Sequence, residues 1–283
     1  MNIFYKIIFL GILSLLVVSC GVNKVYTSAS YGALKTYTEK PIYNGEKETA
    51  IYVSGSLRNT KYPQAIGDFE EVNDKVIGGN LSVHRAITNK NFNYYYGLGA
   101  SFGSYEFNSD LINGSNTLEN FINENDKLNY YNINLKAGVN LTKTWKRIEY
   151  SIIGLELLYV NEFGPYIDRL NSLAPLVPSS VIIANEESIF AFNLNTEVTF
   201  RINKDNNIGV GIFAGSVLFN DKDKIKNETP LFSGGSLKYN YKDFTISVIG
   251  ENSRIDIVSM RFGITYKIVN KSKEKAKSEE KSD

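Results

Sequence analysis

The spacing of apolar residues and the lengths of the connecting segments constrain the fold of this chain most strongly. From Ile133 to Thr142, apolar side chains alternate with Asn, Lys, Gly and Thr, and a similar alternation runs from Phe190 to Ile202. A period of two over about ten residues is typical of a β-strand with one apolar and one polar face. Stretches of this kind recur along the chain, and the segments that join them are alternately long and short. We therefore expect a series of antiparallel strands joined by hairpins.

Ten strands are predicted from this alternation. They cover residues 48–58, 76–87, 92–105, 130–142, 148–160, 189–202, 207–219, 233–241, 244–251 and 257–269. An even number of strands, with long loops at one end and tight turns at the other, is typical of transmembrane β-barrels. The predicted fold is an all-β, antiparallel up-and-down transmembrane β-barrel that occupies residues 48–270. Eight strands are the alternative, because the run from Ser233 to Ser236 weakens the eighth strand.

A soluble β-barrel or sandwich is the competing interpretation, and in it the apolar faces would point inward. The polar faces, however, are rich in small residues such as Gly209, Gly211 and Gly215, which suit a narrow lumen. Charge collects instead in predicted loops such as 221–228. This distribution favours the membrane barrel.

Short turns predict the register of three hairpins. A two-residue loop after Tyr241 places that residue opposite Phe244. Folding Ile87 onto Phe92 sets His84 across from Tyr95.

In the third hairpin, the short turn around Trp145 places Lys136 opposite Gly154, with Glu156 on the diagonal. Each of these pairings keeps apolar residues on one shared face.

The amino-terminal residues have the features of a targeting segment. Lys6 precedes an apolar run from Ile7 to Val18 that is too short to span a bilayer as a helix. The following residues, Val17-Val18-Ser19-Cys20-Gly21, resemble the bacterial lipobox. The resemblance implies a lipoprotein signal peptide over residues 1–19 and an acylated Cys20, followed by an acylated linker over residues 20–47.

The other end of the chain and its overall charge exclude several classes of function. Residues 271–283 are Lys, Glu, Ser, Ala and Asp only, so we expect a disordered charged tail. The net charge of +1 gives no argument for a nucleic-acid partner. Cys20 is the single cysteine, which excludes a disulfide within the chain.

Several charged residues fall on the predicted lumen face. In a barrel of eight to ten strands the interior is narrow enough to be filled by side chains. We expect a paired polar network, with a selectivity filter as the alternative. Its predicted members are Lys136, Glu156, Glu197, Arg201, Lys238, Arg261 and Lys267, with Arg58 near the outer end.

His84 is the only histidine of the chain, and it is predicted to face the lumen near the short turns. That position favours a structural contact over catalysis. With one histidine and one cysteine, no transition-metal site is expected, and neither is a cofactor.

The third long loop is unusually apolar for a segment outside the membrane. Such surface either folds over the barrel mouth or docks on a partner. The predicted partner-binding residues are Leu170, Leu173, Leu176, Val177 and Ile182.

Taken whole, the chain resembles the small bacterial outer-membrane β-barrel proteins, combined here with a lipoprotein signal. The resemblance implies residence in the outer membrane of a Gram-negative bacterium, with outer-membrane lipid around the barrel, Cys20 as anchor and both termini in the periplasm. The favoured function is non-enzymatic, as a structural or accessory subunit of an outer-membrane assembly, uptake or export complex, with partners bound through the extracellular loops. A narrow passive channel of the porin type is the second hypothesis, and an outer-membrane hydrolase is a distant third.

Overall fold

A computed structural model describes residues 24–36, 38–43, 47–66, 70–107, 127–175, 181–203, 205–218, 231–253 and 257–268. Three expectations therefore lie outside the described residues: the signal peptide, the acylated Cys20 and the charged tail. Two members of the predicted partner loop, Leu176 and Val177, also lie outside them.

The described residues form twelve strands and one helix. The strands are β1 (Lys24–Thr27), β2 (Glu48–Ile66), β3 (Glu70–Asn89), β4 (Phe92–Glu106), β5 (Lys127–Thr144), β6 (Ile148–Phe163), β7 (Val181–Ala184), β8 (Ser188–Arg201), β9 (Asn206–Val217), β10 (Leu231–Tyr241), β11 (Phe244–Ser253) and β12 (Val258–Ile268). The helix, α1, spans Pro165–Leu173 between β6 and β7.

Ten of these strands close into a barrel. Each pairs antiparallel with its neighbour along the chain, from β2 to β6 and then from β8 to β12. The pairing of β12 with β2 closes the ring, so the barrel has no free edge. The predicted up-and-down barrel of ten strands is confirmed, and the alternative of eight strands is wrong.

The faces of the wall are oriented as a membrane barrel requires. Large apolar side chains point outward and remain exposed, including Leu57 at 71%, Ile212 at 63% and Leu135 at 51%. Their neighbours Asn134 and Lys136 point inward and are buried. An apolar exterior around a polar interior is the reverse of a soluble β-barrel.

The register of the hairpins agrees with the sequence only in part. Tyr241 pairs with Phe244 as predicted. The predicted register of β3 and β4 is wrong by two residues, because the turn is shorter and Asn89 pairs with Phe92. His84 consequently lies across from Gly97.

The predicted register of β5 and β6 is wrong by four residues. Lys136 pairs with Leu158, and a bulge interrupts the ladder where β6 passes from Ser151 to Gly154. Glu156 pairs with Gly138, so it is still a diagonal neighbour of Lys136.

The two ends of the barrel differ in construction. At the short-turn end, adjacent strands are joined by two to four residues, and β2 begins and β12 ends there. The long-loop end carries the remaining connections, including α1 and β7. Gly164 has a φ of 109° at the start of α1, a conformation that favours glycine and lets the chain turn inward after β6.

Candidate functional site: the filled lumen

Residues 24–36 and 38–43, here called the amino-terminal segment, lie inside the barrel. Its first part, β1, pairs in parallel with β7 at the long-loop end. Its last part reaches the short-turn end, where Tyr43 donates its N–H to Glu149 at 3.2 Å and accepts from Arg201 at 2.9 Å. The segment therefore runs the length of the lumen. The described residues 24–36 and 38–43 of the expected linker 20–47 therefore lie within the barrel.

A single carboxylate holds the segment near the long-loop end. Glu162, at an inward position of β6, accepts hydrogen bonds from the hydroxyl of Ser28 at 2.6 Å and the N–H of Ala29 at 2.9 Å. It also accepts from the N–H of Ser30 at 2.8 Å and from the hydroxyl of that residue at 2.5 Å. Because Glu162 is buried, its carboxylate loses its contacts with water. The four donors of the segment replace those contacts.

An apolar core surrounds this contact. The ring of Tyr166 from α1 stacks on Tyr105 at a centroid distance of 4.2 Å, and its hydroxyl donates to the carbonyl of Thr27 at 2.7 Å. The core contains residues of the segment, the wall and α1. Its largest members from the segment are Tyr26, Tyr31 and Leu34. Apolar packing thus fills the lumen at the long-loop end.

Ion pairs hold the middle of the segment. The ammonium of Lys35 lies 3.0 Å from Glu156, which also accepts from the hydroxyl of Tyr95 at 2.6 Å and from Asn193 at 2.9 Å. The N–H of Lys35 donates to Glu251 at 3.1 Å, and Glu251 is paired in turn with Arg261 at 2.7 Å. The segment and the wall therefore share one network of charges.

A second group of charges lies nearer the short-turn end. The ammonium of Lys238 is 2.9 Å from Glu197 of the wall and 3.5 Å from Glu39 of the segment. The hydroxyl of Thr88 donates to the carbonyl of Pro41 at 2.6 Å. Lys40 is also buried there. Burial of so many charges is tolerated only where carboxylates and cations lie close together, as they do here.

The seven predicted lumen residues all lie on the inner side of the wall. Lys136, Glu156, Lys238 and Arg261 are buried, while Glu197, Arg201 and Lys267 are partly exposed. Lys238 and Glu197 pair with each other within the predicted set, and other members have partners outside it. Lys136 reaches Thr36 at 3.3 Å, and Lys267 pairs with Glu48 at 2.5 Å.

Sequence reasoning missed the segment residues Lys35 and Glu39 and the wall carboxylates Glu162 and Glu251. Glu162 lies two residues beyond the predicted end of its strand, at the same inward parity as Glu156. Extending the alternation would have placed it in the lumen. The segment itself carries no such alternation.

His84 has a structural environment. Its ring stacks on Tyr52 at a centroid distance of 5.0 Å, and its Nε2 lies 2.9 Å from the carbonyl oxygen of Glu39. The predicted pairing position across from Tyr95 is wrong, because His84 lies across from Gly97. No group of histidine, cysteine and acidic residues able to hold a metal ion is found among the described residues.

The predicted partner-binding loop is folded inward where it is described. Leu170 and Leu173 are buried members of the apolar core, packed with the segment. They are therefore not available to a partner, which corrects the prediction for these two residues. The backbone of Ile182 lies in β7.

Two small cavities lie between the described residues of the segment and the wall. One cavity of about 50 Å³ is lined mainly by small residues of β2, β3 and β12, with Arg58 and Arg261 at its edge. A second, of about 30 Å³, lies beside Lys35 and Lys40. A buried water needs roughly 10–15 Å³ on this measure, so each cavity has room for a few water molecules.

No helix among the described residues is long and apolar enough to cross a membrane.

No protein-family model matches the sequence, and no curated protein matches it either. Among solved structures, the translocator domain of the autotransporter NalP from Neisseria meningitidis is 13% identical, with a TM-score of 0.38, covering 79% of this chain and 89% of that chain. The outer membrane protein OprG from Pseudomonas aeruginosa is 8% identical, with a TM-score of 0.34, covering 78% of this chain and 97% of that chain. The toluene transporter TodX from Pseudomonas putida is 9% identical, with a TM-score of 0.34, covering 87% of this chain and 95% of that chain. Likeness this distant says nothing about function, and the closed antiparallel barrel follows from the strand pairing of this chain itself.

Proposed function

We propose that this protein is a self-plugged β-barrel of the bacterial outer membrane. It acts as a non-enzymatic structural or accessory subunit of an assembly, uptake or export complex. The observation that carries the proposal is the amino-terminal segment, which fills the lumen from one end to the other.

Residence in a membrane is supported by the exterior of the wall. Exposed apolar residues occur on every barrel strand, for example Leu81, Phe102 and Ile264, each more than half exposed. A soluble monomer seldom exposes so large an apolar surface to water. Bacterial membrane barrels of this construction lie in the outer membrane, with long loops outside the cell and short turns in the periplasm.

The closed lumen argues against bulk permeation. The wall binds the segment at Glu162, Glu251 and Lys238, which are distributed along its length. Lys35 and Glu39 of the segment are thereby paired with charges of the wall, and the two cavities described above hold only a few waters. A resting barrel of this kind should not conduct ions steadily.

The environment of His84 favours a structural role for this residue over catalysis in an outer-membrane hydrolase. The ring of His84 is buried between Tyr52 and the carbonyl of Glu39. It lies toward the short-turn end, since it falls only five residues from the end of β3. A substrate arriving at the outer mouth would meet the apolar core first.

A gated channel is the second candidate, and one observation favours it. The contacts between the segment and the wall are polar in the middle of the barrel and at the short-turn end. Polar groups that separate there can form hydrogen bonds with water instead. The larger cavity beside the segment is lined in part by glycines, which have no side chains to fill the space. These are Gly55, Gly78, Gly79 and Gly263. Displacing the segment would expose a polar passage.

Purification from outer membranes in mild detergent, followed by planar-bilayer recording, tests both candidates. We expect a stoichiometric partner in the purified material and no steady conductance from the partner-free protein. We propose that the partner contacts loop residues at the long-loop end, so Leu176→Ser with Val177→Ser should release it. The matched control is Leu218→Ser, an exposed apolar residue at the same end.

Two outcomes would change the assignment. Steady conductance from the wild-type protein, without any partner, would replace the accessory role with the channel. Conductance that appears only when residues 24–43 are deleted, in a barrel that still shifts its gel mobility on heating, would identify the segment as a gate.

A further inference from the structure

The direction in which the amino-terminal segment crosses the barrel decides which side of the membrane the upstream residues occupy. This inference rests on the proposed residence in the outer membrane. We infer that the chain preceding Lys24 leaves the barrel at the long-loop end, on the outer surface of the cell. It follows that a mature protein that begins at Cys20 would have its amino terminus outside.

The order of contacts fixes the direction of the segment. β1 pairs with β7, which lies within the connection between β6 and β8 at the long-loop end. The next residues bind Glu162, one residue before the end of β6. The first residues of the amino-terminal segment therefore lie at the long-loop end.

The later residues of the segment lie progressively nearer to the short-turn end. Lys35 binds Glu156 in the middle of β6, and Tyr43 binds Glu149 beside the first residue of that strand. The amino-terminal segment therefore runs along β6 from the long-loop end to the short-turn end. The segment then continues into β2, which begins at the short-turn end.

Chain length prevents Cys20 from reaching the short-turn end. Glu149 and Glu162 are thirteen residues apart on β6, which spans about 30 Å along the barrel axis for a strand tilted by roughly 40°. Cys20 precedes Lys24 by four residues, and four residues extend at most about 14 Å. Cys20 therefore cannot lie at the short-turn end.

This placement has a consequence for the proposed acylation. Acyl chains on Cys20 would insert into the outer leaflet around the long-loop mouth, and not into the inner leaflet. The expectation that both termini face the periplasm is replaced by one terminus on each side. Ile268, the last described residue, lies at the short-turn end beside the start of β2.

Labelling of single introduced cysteines on intact cells tests the inference. Three full-length variants are compared with a membrane-impermeant maleimide: Asn23→Cys, Ser172→Cys on α1 at the long-loop end, and Lys90→Cys in a turn at the short-turn end. Wild-type protein, which contains only Cys20, serves as the blank. We expect the first two variants to react on intact cells and the third only after the outer membrane is permeabilised.

The outcomes separate this inference from the proposed function. If Ser172→Cys reacts on intact cells while Asn23→Cys needs permeabilisation, the inference is overturned and the outer-membrane barrel stands. If Ser172→Cys itself reacts only after permeabilisation, the proposed orientation fails as well.

A second measurement decides the case in which position 23 is shielded from the reagent under both conditions. A short epitope inserted between Asn23 and Lys24 should bind antibody on intact cells, and the same epitope placed after Asp283 should not. Antibody binding before Lys24 that requires permeabilisation overturns the inference.

Discussion

Glu162 of the wall accepts two hydrogen bonds from Ser30 of the amino-terminal segment, one from its N–H at 2.8 Å and one from its hydroxyl at 2.5 Å. The two residues are separated by 132 positions in the sequence. This contact joins the part of the chain that precedes the barrel to the barrel itself.

Replacing Glu162 with Gln should loosen the segment at the long-loop end. One acceptor oxygen becomes an amide donor, which leaves buried donors of Ser28 or Ser30 without a partner. The expected loss of stability is about 1–3 kcal/mol. The temperature at which gel mobility shifts should fall, and amide exchange over residues 26–34 should accelerate.

The matched control is Glu187→Gln. Glu187 is an exposed carboxylate at the same end that accepts a hydrogen bond from Asn171 at 3.1 Å. It should change the transition temperature little. Equal effects of the two substitutions would show that Glu162 does not hold the segment.

The pair of Lys238 and Glu197 should show strong coupling in a double-mutant cycle. Removing one partner of a buried pair costs up to about 3–5 kcal/mol, and Glu197→Gln should cost less than this because Lys238 keeps Glu39 at 3.5 Å. The losses caused by Lys238→Gln and by Glu197→Gln should therefore add up to more than the loss measured for the double variant. The free energy of unfolding, measured by urea titration in detergent micelles, provides the comparison.

Lys267→Gln is the control for this cycle. Lys267 pairs with Glu48, but both side chains remain partly exposed, at 25% and 35%. Exposed pairs contribute little, so the loss should stay below about 1 kcal/mol. A loss as large as that of Lys238→Gln would contradict the assignment of a buried network.

An arginine at Val139 should oppose insertion into the membrane. Val139 faces outward on β5 and is 43% exposed, and it lies five residues before the end of that strand. A charge at the bilayer midplane of such barrels costs about 2–4 kcal/mol. Folding yield into phospholipid vesicles should fall, whereas Lys143→Arg on the same face should fold normally. Efficient folding of both variants in water without lipid would mean that the exterior is not in a membrane.

Cys20→Ser should abolish incorporation of a clickable fatty acid. Acylation at this position is expected from the residues that precede it at the end of the apolar run. Labelling is measured on the immunoprecipitated protein, with Asn23→Ser as the control that keeps the cysteine. Unchanged labelling of the Cys20→Ser variant would place the acyl group elsewhere or nowhere.

Leu173→Ala should destabilise the long-loop end directly. Leu173 is buried in the apolar core with the segment. Truncating a buried leucine costs about 2–5 kcal/mol, because a cavity replaces packed atoms. Leu231→Ala, at an exposed position on the same end, should have little effect on the thermal transition. Loss of a co-purifying partner without any loss of stability would restore the prediction that Leu173 binds that partner.

Strands and faces could be predicted from the sequence because alternation with a period of two is a local property. Register could not be predicted where the turn length was uncertain. The errors, two residues between β3 and β4 and four between β5 and β6, are both even. An even shift leaves every side chain on the same face, so the apolar pattern cannot detect it. Only the hairpin of Tyr241 and Phe244, whose turn is two residues long, was placed correctly.

The filling of the lumen lay beyond sequence reasoning for another reason. Residues 28–36 mix serine, tyrosine, glycine and lysine without period, so nothing local distinguishes a plug from a linker. Their partners lie far away in sequence, such as Glu251, which is 216 positions from Lys35. Contacts of this range depend on the closed barrel, and the sequence pattern does not specify which strand meets which part of the segment.

The great sequence separation of these contacts also bears on folding kinetics. Hairpins between neighbouring strands close short loops, whereas each contact of the segment with β6 or β11 closes a loop of more than a hundred residues. Because long loops lose more entropy on closure, the segment should settle after the hairpins have formed. Substitutions such as Glu162→Gln should then accelerate unfolding while leaving the folding rate nearly unchanged.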